Sequence, residues 1–286
     1  MRVKDAIRFI IDSTENVYGP AESESIAFII LEFIGFPRKK LILKADDHID
    51  VSQEEFIRNA VKELKNSKPV QYILGETEFY GLRFKLDENV LIPRQETEEL
   101  VSRIIRDNKI SDPVVLDLGT GSGCISVSIA KNIPGSKVFA TDISEKALRI
   151  ADSNALLNGV ELKTIADDML HTQLDKSQKF DIIVSNPPYV RDSEKHYMHA
   201  NVLNFEPATA LFVRDENPLD FYKAISEIAI KKLKDGGVLY VEINENFGIE
   251  VSGLFRLAGL KEPEIITDIH EKDRFVKAKR KANLQN

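Results

Sequence analysis

The chain has 286 residues, a single cysteine and a formal net charge of −7. That length supports one large domain or a main domain with a smaller one, and the lone Cys124 excludes an internal disulfide. The acidic balance argues against nucleic-acid binding by bulk electrostatics, and no stretch reaches the ~18 consecutive apolar residues of a membrane helix. With an N-terminus that mixes charges and apolar residues, a reducing cytoplasm is the expected compartment.

Residues 1 to about 70 read as a small helical bundle. In "VKDAIRFII", Val3, Ala6, Ile7, Ile10 and Ile11 share one helical face, and "ESESIAFIILEFIGF" repeats the pattern before stopping at Gly35 and Pro37. Ser52 and Glu55 have capping-box spacing ahead of Phe56, Ala60, Val61 and Leu64. From Tyr72 to Pro93 the period changes, and alternation with turn signals at Gly81 and 87–89 predicts a β-hairpin linker over 71–95.

From residue 96 to 286 strands and helices alternate, as in a doubly wound, mostly parallel sheet. Strands are predicted at 114–118, 137–142, 161–166, 180–185 and 238–243, with 263–270 and 274–279 as a closing antiparallel pair. Helices are predicted at 124–131 and 145–158.

"VVLDLGTGSGCISVSIA" is a strand, a glycine-rich turn and a helix, with glycines at 119, 121 and 123. The dinucleotide fingerprint would require glycine where Cys124 stands. G-x-G-x-G after an acidic strand end instead suits S-adenosylmethionine, which has no pyrophosphate to seat. Its methionine moiety would lie across Gly119, Thr120, Gly121, Ser122 and Gly123, with Asp117 attracting its cationic groups. Asp142 ends the next strand, where a carboxylate accepts ribose hydroxyls. Asp167 or Asp168, with Asp168 the first choice, would take the adenine amino group, and Met169 would pack on the ring.

"SNPPYV" follows the apolar strand "FDIIV" and places Asn186 at a strand end facing the same crevice. Prolines offer carbonyls, have no amide hydrogens and fix φ. The Asn186 carbonyl and a neighbouring main-chain carbonyl would form a rigid acceptor pair for a planar NH2 group, and Tyr189, after Pro188, would supply a stacking face. As structural features alone, the same residues would simply end a strand.

Several stretches together resemble the peptide chain release factor glutamine methyltransferases (HemK/PrmC type). They are "PVQYILGETEFYGLRF", "LIPRQETEELV", Asn-Pro-Pro-Tyr, "FEPATAL", "LDFYKAI" and "DRFVKA", and the resemblance covers nearly the whole chain. It implies a class I methyltransferase fold, with a seven-stranded sheet whose last strand is antiparallel, behind a helical substrate-binding domain. It also implies S-adenosylmethionine as cofactor and the glutamine of a Gly-Gly-Gln motif in a class 1 release factor as substrate. Asn186 and Pro187 would hold that amide, Tyr189 would line the pocket, and Pro93, Arg94, Glu96 and Thr97 would border the site. The chain departs from the family pattern at Asn244 and Phe247 in "EINENF", and at Glu271 in "DIHEKDRF".

A monomer with neither nucleic acid nor membrane as partner is the expectation. The alternatives are methylation of an adenine or cytosine amine, which calls for a basic groove, and a binding module that kept the cofactor fold. His196 and His199 lack a third metal ligand, so no metal is expected; Cys124 reads as a small helix-start residue and "KAKRK" as a solvated tail.

Overall fold

A computed structural model describes residues 1–282; residues 283–286, the end of the 96–286 span, lie outside it. The chain forms two compact units, Met1–Glu76 with Met198–Phe205, and Thr77–Tyr197 with the chain from Glu206 onward.

The first unit is helical: α1 (Val3–Tyr18), α2 (Pro20–Phe33), α3 (Val51–Lys65) and the short α4 (Val70–Leu74). Val3, Ala6 and Ile10 of α1 are buried with Ile26, Ala27, Ile30 and Leu31 of α2 and Ile57, Val61 and Leu64 of α3. These positions recur at three- and four-residue spacing, so each helix buries one stripe. The capping box of α3 is not Ser52 with Glu55. Asp50 accepts from the Gln53 amide at 2.8 Å and the Asp50 amide donates to Gln53 Oε1 at 3.0 Å, while Ser52 donates to Asp50. The helix therefore starts at Val51, an apolar residue left in solvent, which is why the apolar pattern misplaced the cap. Tyr72 and its neighbours, expected to begin the hairpin, lie in α4, because Pro69 fixes φ for a helix start.

In the second unit the hairpin is β1 (Glu76–Phe79) and β2 (Leu82–Lys85), followed by α5 (Gln95–Asp107), β3 (Val114–Leu118), α6 (Cys124–Asn132), β4 (Lys137–Asp142), α7 (Glu145–Asn158), β5 (Lys163–Ala166) and β6 (Phe180–Ser185). Next come β7 (Val190–Arg191), α8 (Ala200–Phe205, grouped with the helical unit), α9 (Ala208–Leu211), β8 (Phe212–Val213), α10 (Asp220–Lys232), β9 (Leu233–Glu242), α11 (Gly248–Leu257), β10 (Lys261–Thr267) and β11 (Asp273–Lys279). The seven-stranded sheet has the order β10-β11-β9-β6-β3-β4-β5, with β11 antiparallel to both neighbours and the other pairs parallel.

Alternate residues of the central strands feed two cores. Val115, Ile182, Val184 and Tyr240 pack with α5, α6 and the hairpin's Phe79 and Phe84, while Leu116, Ile183, Leu239 and Val241 pack with Tyr222 and Ile225 of α10 and Phe255 of α11. Strand β9 begins five residues before the expected 238 because Leu233 still pairs with Phe180; a register shift absorbs the Asp-Gly-Gly breaker. The basic tail is not a solvated terminus throughout. Lys277 and Lys279 lie in β11 and pair with Asp107 and Glu262, both at 2.6 Å, and Arg280 caps the Ile230 and Leu233 carbonyls.

Asn154, fully buried in α7, ties the hairpin to the glycine-rich loop. It accepts from the Lys85 amide at 2.7 Å and donates to the Lys85 and Ser122 carbonyls at 3.0 and 2.8 Å. Asn154→Ala would remove three bonds, two part-buried ones with the Lys85 backbone and one to the buried Ser122 carbonyl, so unfolding free energy should fall by about 2–4 kcal/mol in a denaturant titration.

Candidate active site

The site forms where parallel strands end. β3 pairs with β4 and β6, and β6 with β9, so Leu118 lies level with Thr141 and Ser185, and Ser185 with Val241. The residues that follow, Gly119, Asp142, Asn186 and Glu242, therefore line one edge.

Asp117 is fully buried. Its Oδ2 accepts from the hydroxyls of Ser126 at 2.5 Å and Thr120 at 2.7 Å, while its Oδ1 is buried with no partner among the described residues. Burial pushes this carboxyl up to about 6, Ser126 and Thr120 pull it back, and the charge of Asp142 adds to the rise. Burial also raises Asp142, which accepts from the amides of Gly121 and Ser144, each at 2.9 Å. Those two bonds leave lone pairs on both oxygens for hydroxyl donors.

The loop's own amides are largely spent. Gly119 and Thr120 donate to the Thr141 carbonyl, Gly121 to Asp142, and Gly123 to the Thr120 carbonyl. A loop so satisfied is a poor seat for phosphate, in contrast to an anion nest. Beside two burdened carboxylates and an unpartnered buried oxygen, it suits a cationic ligand. Gly119 (φ +74°) cannot be replaced cheaply, since an added Cβ would meet the Met169 methyl at 3.0 Å. Gly123 (φ +79°) presses equally close on Ala151.

Asp167 and Asp168 part ways here. Both oxygens of Asp167 are used, by the Thr172 hydroxyl and the Gln173 amide, whereas among the described residues Asp168 accepts only from the Leu170 amide. Ile143 was not singled out in the sequence; the structure leaves it 68% exposed directly beside Asp142. An isoleucine between two polar residues at a strand end was the available signal.

Asn186 donates from Nδ2 to Thr97 Oγ1 at 3.1 Å, and Pro187 is buried beside it. Thr97 donates to Glu242 Oε2 at 2.8 Å, and the Tyr189 hydroxyl donates to Glu242 Oε1 at 3.1 Å. Arg94 is held by the buried Glu206 at 2.5 Å, and Glu206 also accepts from the Ile92 amide. The guanidinium of Arg94 therefore braces the Pro93 segment, and Glu96 sits half-buried in the first turn of α5. Burial pushes the Cys124 thiol up to about 12, which leaves it unreactive. The His196 ring packs against Tyr197, centroids 3.8 Å apart.

The departures from the expected family pattern act on the segment after the motif. Asn244 Nδ2 donates to the Tyr189 carbonyl and to Glu194 Oε2, both at 3.2 Å. The Phe247 ring lies 5.6 Å from the Arg191 guanidinium. Glu271 adopts φ +61° in the turn between β10 and β11, a conformation that favours glycine.

Fold and site together define a class I methyltransferase. Two family profiles match the chain, "Methyltransferase small domain" over residues 96–212 and "PrmC N-terminal domain" over 5–75. A release factor glutamine methyltransferase of Flavobacterium psychrophilum is 46% identical over 97% of this chain and 99% of its own length. The Bacteroides thetaiotaomicron protein of the same name is 38% identical over 95% and 98%. This chain belongs to the release factor glutamine methyltransferase family. Solved structures share the fold at low identity. A Pyrococcus furiosus methyltransferase has TM-score 0.52 and 15% identity, covering 81% of this chain and 100% of its own. A Thermus thermophilus 16S rRNA methyltransferase, in complex with AdoMet and guanosine, has TM-score 0.53 and 18% identity, covering 72% and 50%.

Asn244→Gly would remove both side-chain donors to the post-motif segment. Methyl-transfer turnover should fall about tenfold, equivalent to ~1.4 kcal/mol of barrier, with little change in cofactor affinity measured calorimetrically.

Proposed function

We propose that the enzyme transfers a methyl group from S-adenosylmethionine to the side-chain amide nitrogen of a glutamine, that of the Gly-Gly-Gln motif of a class 1 peptide chain release factor. The observation that carries this reading is the pairing at adjacent strand ends of an unpartnered buried Asp117 oxygen and an Asn186 amide with its Nδ2 already engaged. The names of the near relatives supply the substrate.

When bound, S-adenosylmethionine supplies an electrophilic sulfonium methyl: a C–N bond would form as the methyl–sulfur bond breaks, S-adenosylhomocysteine would leave as a neutral thioether, and the amide nitrogen's proton would pass to water. Asp117 Oδ1 would hold the ligand's cationic end, Asp142 its ribose hydroxyls, and Asp168, Met169 and Ile143 its base. Of the loop glycines, Gly121 has open space where a Cβ would stand, and there the ligand would lie against bare backbone.

Asn186 Oδ1 and the Pro187 carbonyl would accept the two amide hydrogens of the substrate glutamine. An amide nitrogen is a weak nucleophile because its lone pair is delocalised. Acceptors fixed on a strand end hold it at the orientation required for attack and favour the more pyramidal nitrogen of the transition state. Pro187 and Pro188 keep that backbone rigid. The net charge of −7 speaks for a protein substrate over a polyanion.

Incubation with methyl-labelled cofactor and purified release factor, followed by peptide mass mapping, should place one methyl on the Gly-Gly-Gln peptide. Labelling of RNA or DNA alone would overturn the reading. Asn186→Ala should lower turnover at least about a hundredfold while cofactor still binds, since a transition-state contact is lost.

Cofactor affinity should depend on pH through Asp117. Its carboxyl, raised to about 6, is ionised above that pH and neutral below it, and only the ionised form attracts a cation. The dissociation constant should therefore rise as pH falls through 6, by up to about tenfold per pH unit, in a calorimetric titration.

A further inference from the structure

Four buried or half-buried polar groups from three parts of the sequence form one hydrogen-bonded chain: Asn186 to Thr97 to Glu242, with Tyr189 joining at the other carboxylate oxygen. We propose that Glu242 is a positioning residue for methyl transfer, which acts through Thr97 to set the face that the Asn186 amide presents to substrate and directly holds the Tyr189 ring. The proposal rests on the reading of Asn186 as an acceptor for an NH2 group.

The argument is a count of hydrogens. A threonine hydroxyl has one hydrogen to give. Thr97, itself 2% exposed, gives that hydrogen to Glu242 Oε2, so toward Asn186 it can only accept. The amide of Asn186 must therefore turn its NH2 to Thr97, which leaves Oδ1 on the opposite side as an acceptor. Reversal of that amide would set two oxygens against each other in a dry site. It would also meet the substrate's NH2 with a second NH2. The choice between a working and a non-working asparagine is thus made two residues away from the substrate.

The same carboxylate holds the far end of the motif. Burial, reinforced by Glu242, pushes the Tyr189 hydroxyl well above its ordinary range, so it stays protonated and donates. The groups facing Glu242 are Thr97 and Glu96 from α5, Tyr189 after β6, Tyr222 from α10, Cys124 from α6 and Arg274 from β11. Arg274 is the only cation among them, and its guanidinium is bonded to Asp268 at 3.0 Å and lies 3.6 Å from Glu245. Glu242 has no direct ion pair among the described residues, and burial pushes it up to about 7. Once protonated, Glu242 no longer obliges Thr97 to donate toward it, and the count that fixes Asn186 fails. Turnover at saturating cofactor and substrate should therefore fall as pH drops through 7, separately from the cofactor-affinity effect of Asp117 near 6.

The test uses the full chain with release factor and labelled cofactor. Thr97→Val should lower kcat at least about tenfold, with KM for the release factor and the cofactor dissociation constant each within about threefold of wild type. Thr97→Ser, which keeps the hydroxyl, should recover at least about half of wild-type kcat. Glu242→Gln should lower kcat and flatten the acid limb near pH 7; should it fail to fold, the Thr97 pair decides the matter. Near-wild-type kcat in Thr97→Val, or an unchanged acid limb in Glu242→Gln, would overturn the proposal.

A second readout does not depend on the substrate. In the NMR spectrum of the wild-type protein, the Asn186 side-chain NH2 protons should show a nuclear Overhauser contact to the Thr97 methyl, and that contact should weaken below pH 7. Its absence at pH 8 would overturn the proposal, whereas absence of transfer to release factor by wild type would count only against the substrate assignment.

Discussion

The in-register parallel pairing of β3, β6 and β9 is the constraint from which the site follows. Leu118, Ser185 and Val241 lie side by side across three strands that run the same way and end within one residue of each other. The next residue of each strand, Gly119, Asn186 or Glu242, must then emerge at the same edge. A slip of one residue would turn every side chain of a strand to the other face. The fully buried alternation of Leu116 and Ile183 against α10, with Val115 and Val184 against α5 and α6, prevents it.

Buried acids in this molecule divide by their partners. Asp181 meets Lys234 at 2.7 Å, Asp268 meets Arg274 at 3.0 Å and Glu206 meets Arg94 at 2.5 Å. Each of these is a compensated charge that pins one segment to another. Asp117, Asp142 and Glu242 have hydroxyl or amide donors but no direct ion pair among the described residues, and all three are raised by burial. Uncompensated charge of this kind is retained where a ligand's charge or a donor's orientation makes use of it. The three sit at the ends of β3, β4 and β9, whereas the paired acids lie elsewhere.

Much of the fold was legible because its signals are local. The strands at 114–118, 137–142 and 180–185, the helix at 145–158 and the closing antiparallel pair follow from apolar runs and turn residues within a few positions of each other. The glycine-rich loop and Asn-Pro-Pro-Tyr carry their meaning in four to seven adjacent residues. Boundaries failed where a local cue had two readings. Ser52 with Glu55 has the same spacing as Asp50 with Gln53, and only the second pair brackets the real helix start. Lys277 and Lys279 look like a basic tail until β11 gives them Asp107 and Glu262 as neighbours.

By itself the sequence determined the class of chemistry. Glycine spacing excludes a dinucleotide seat, strand-end acids mark a ligand edge, and two prolines after an asparagine fix a carbonyl beside an amide. Only the tertiary structure decided how those groups are held. Thr97 and Asn186 are 89 positions apart, Thr97 and Glu242 145 apart, and Asn154 reaches Lys85 across 69. Nothing in local spacing encodes such partners. A hydrogen bond's direction depends on which donor has already spent its hydrogen, and that is settled only when distant strands and helices close around the same few ångströms.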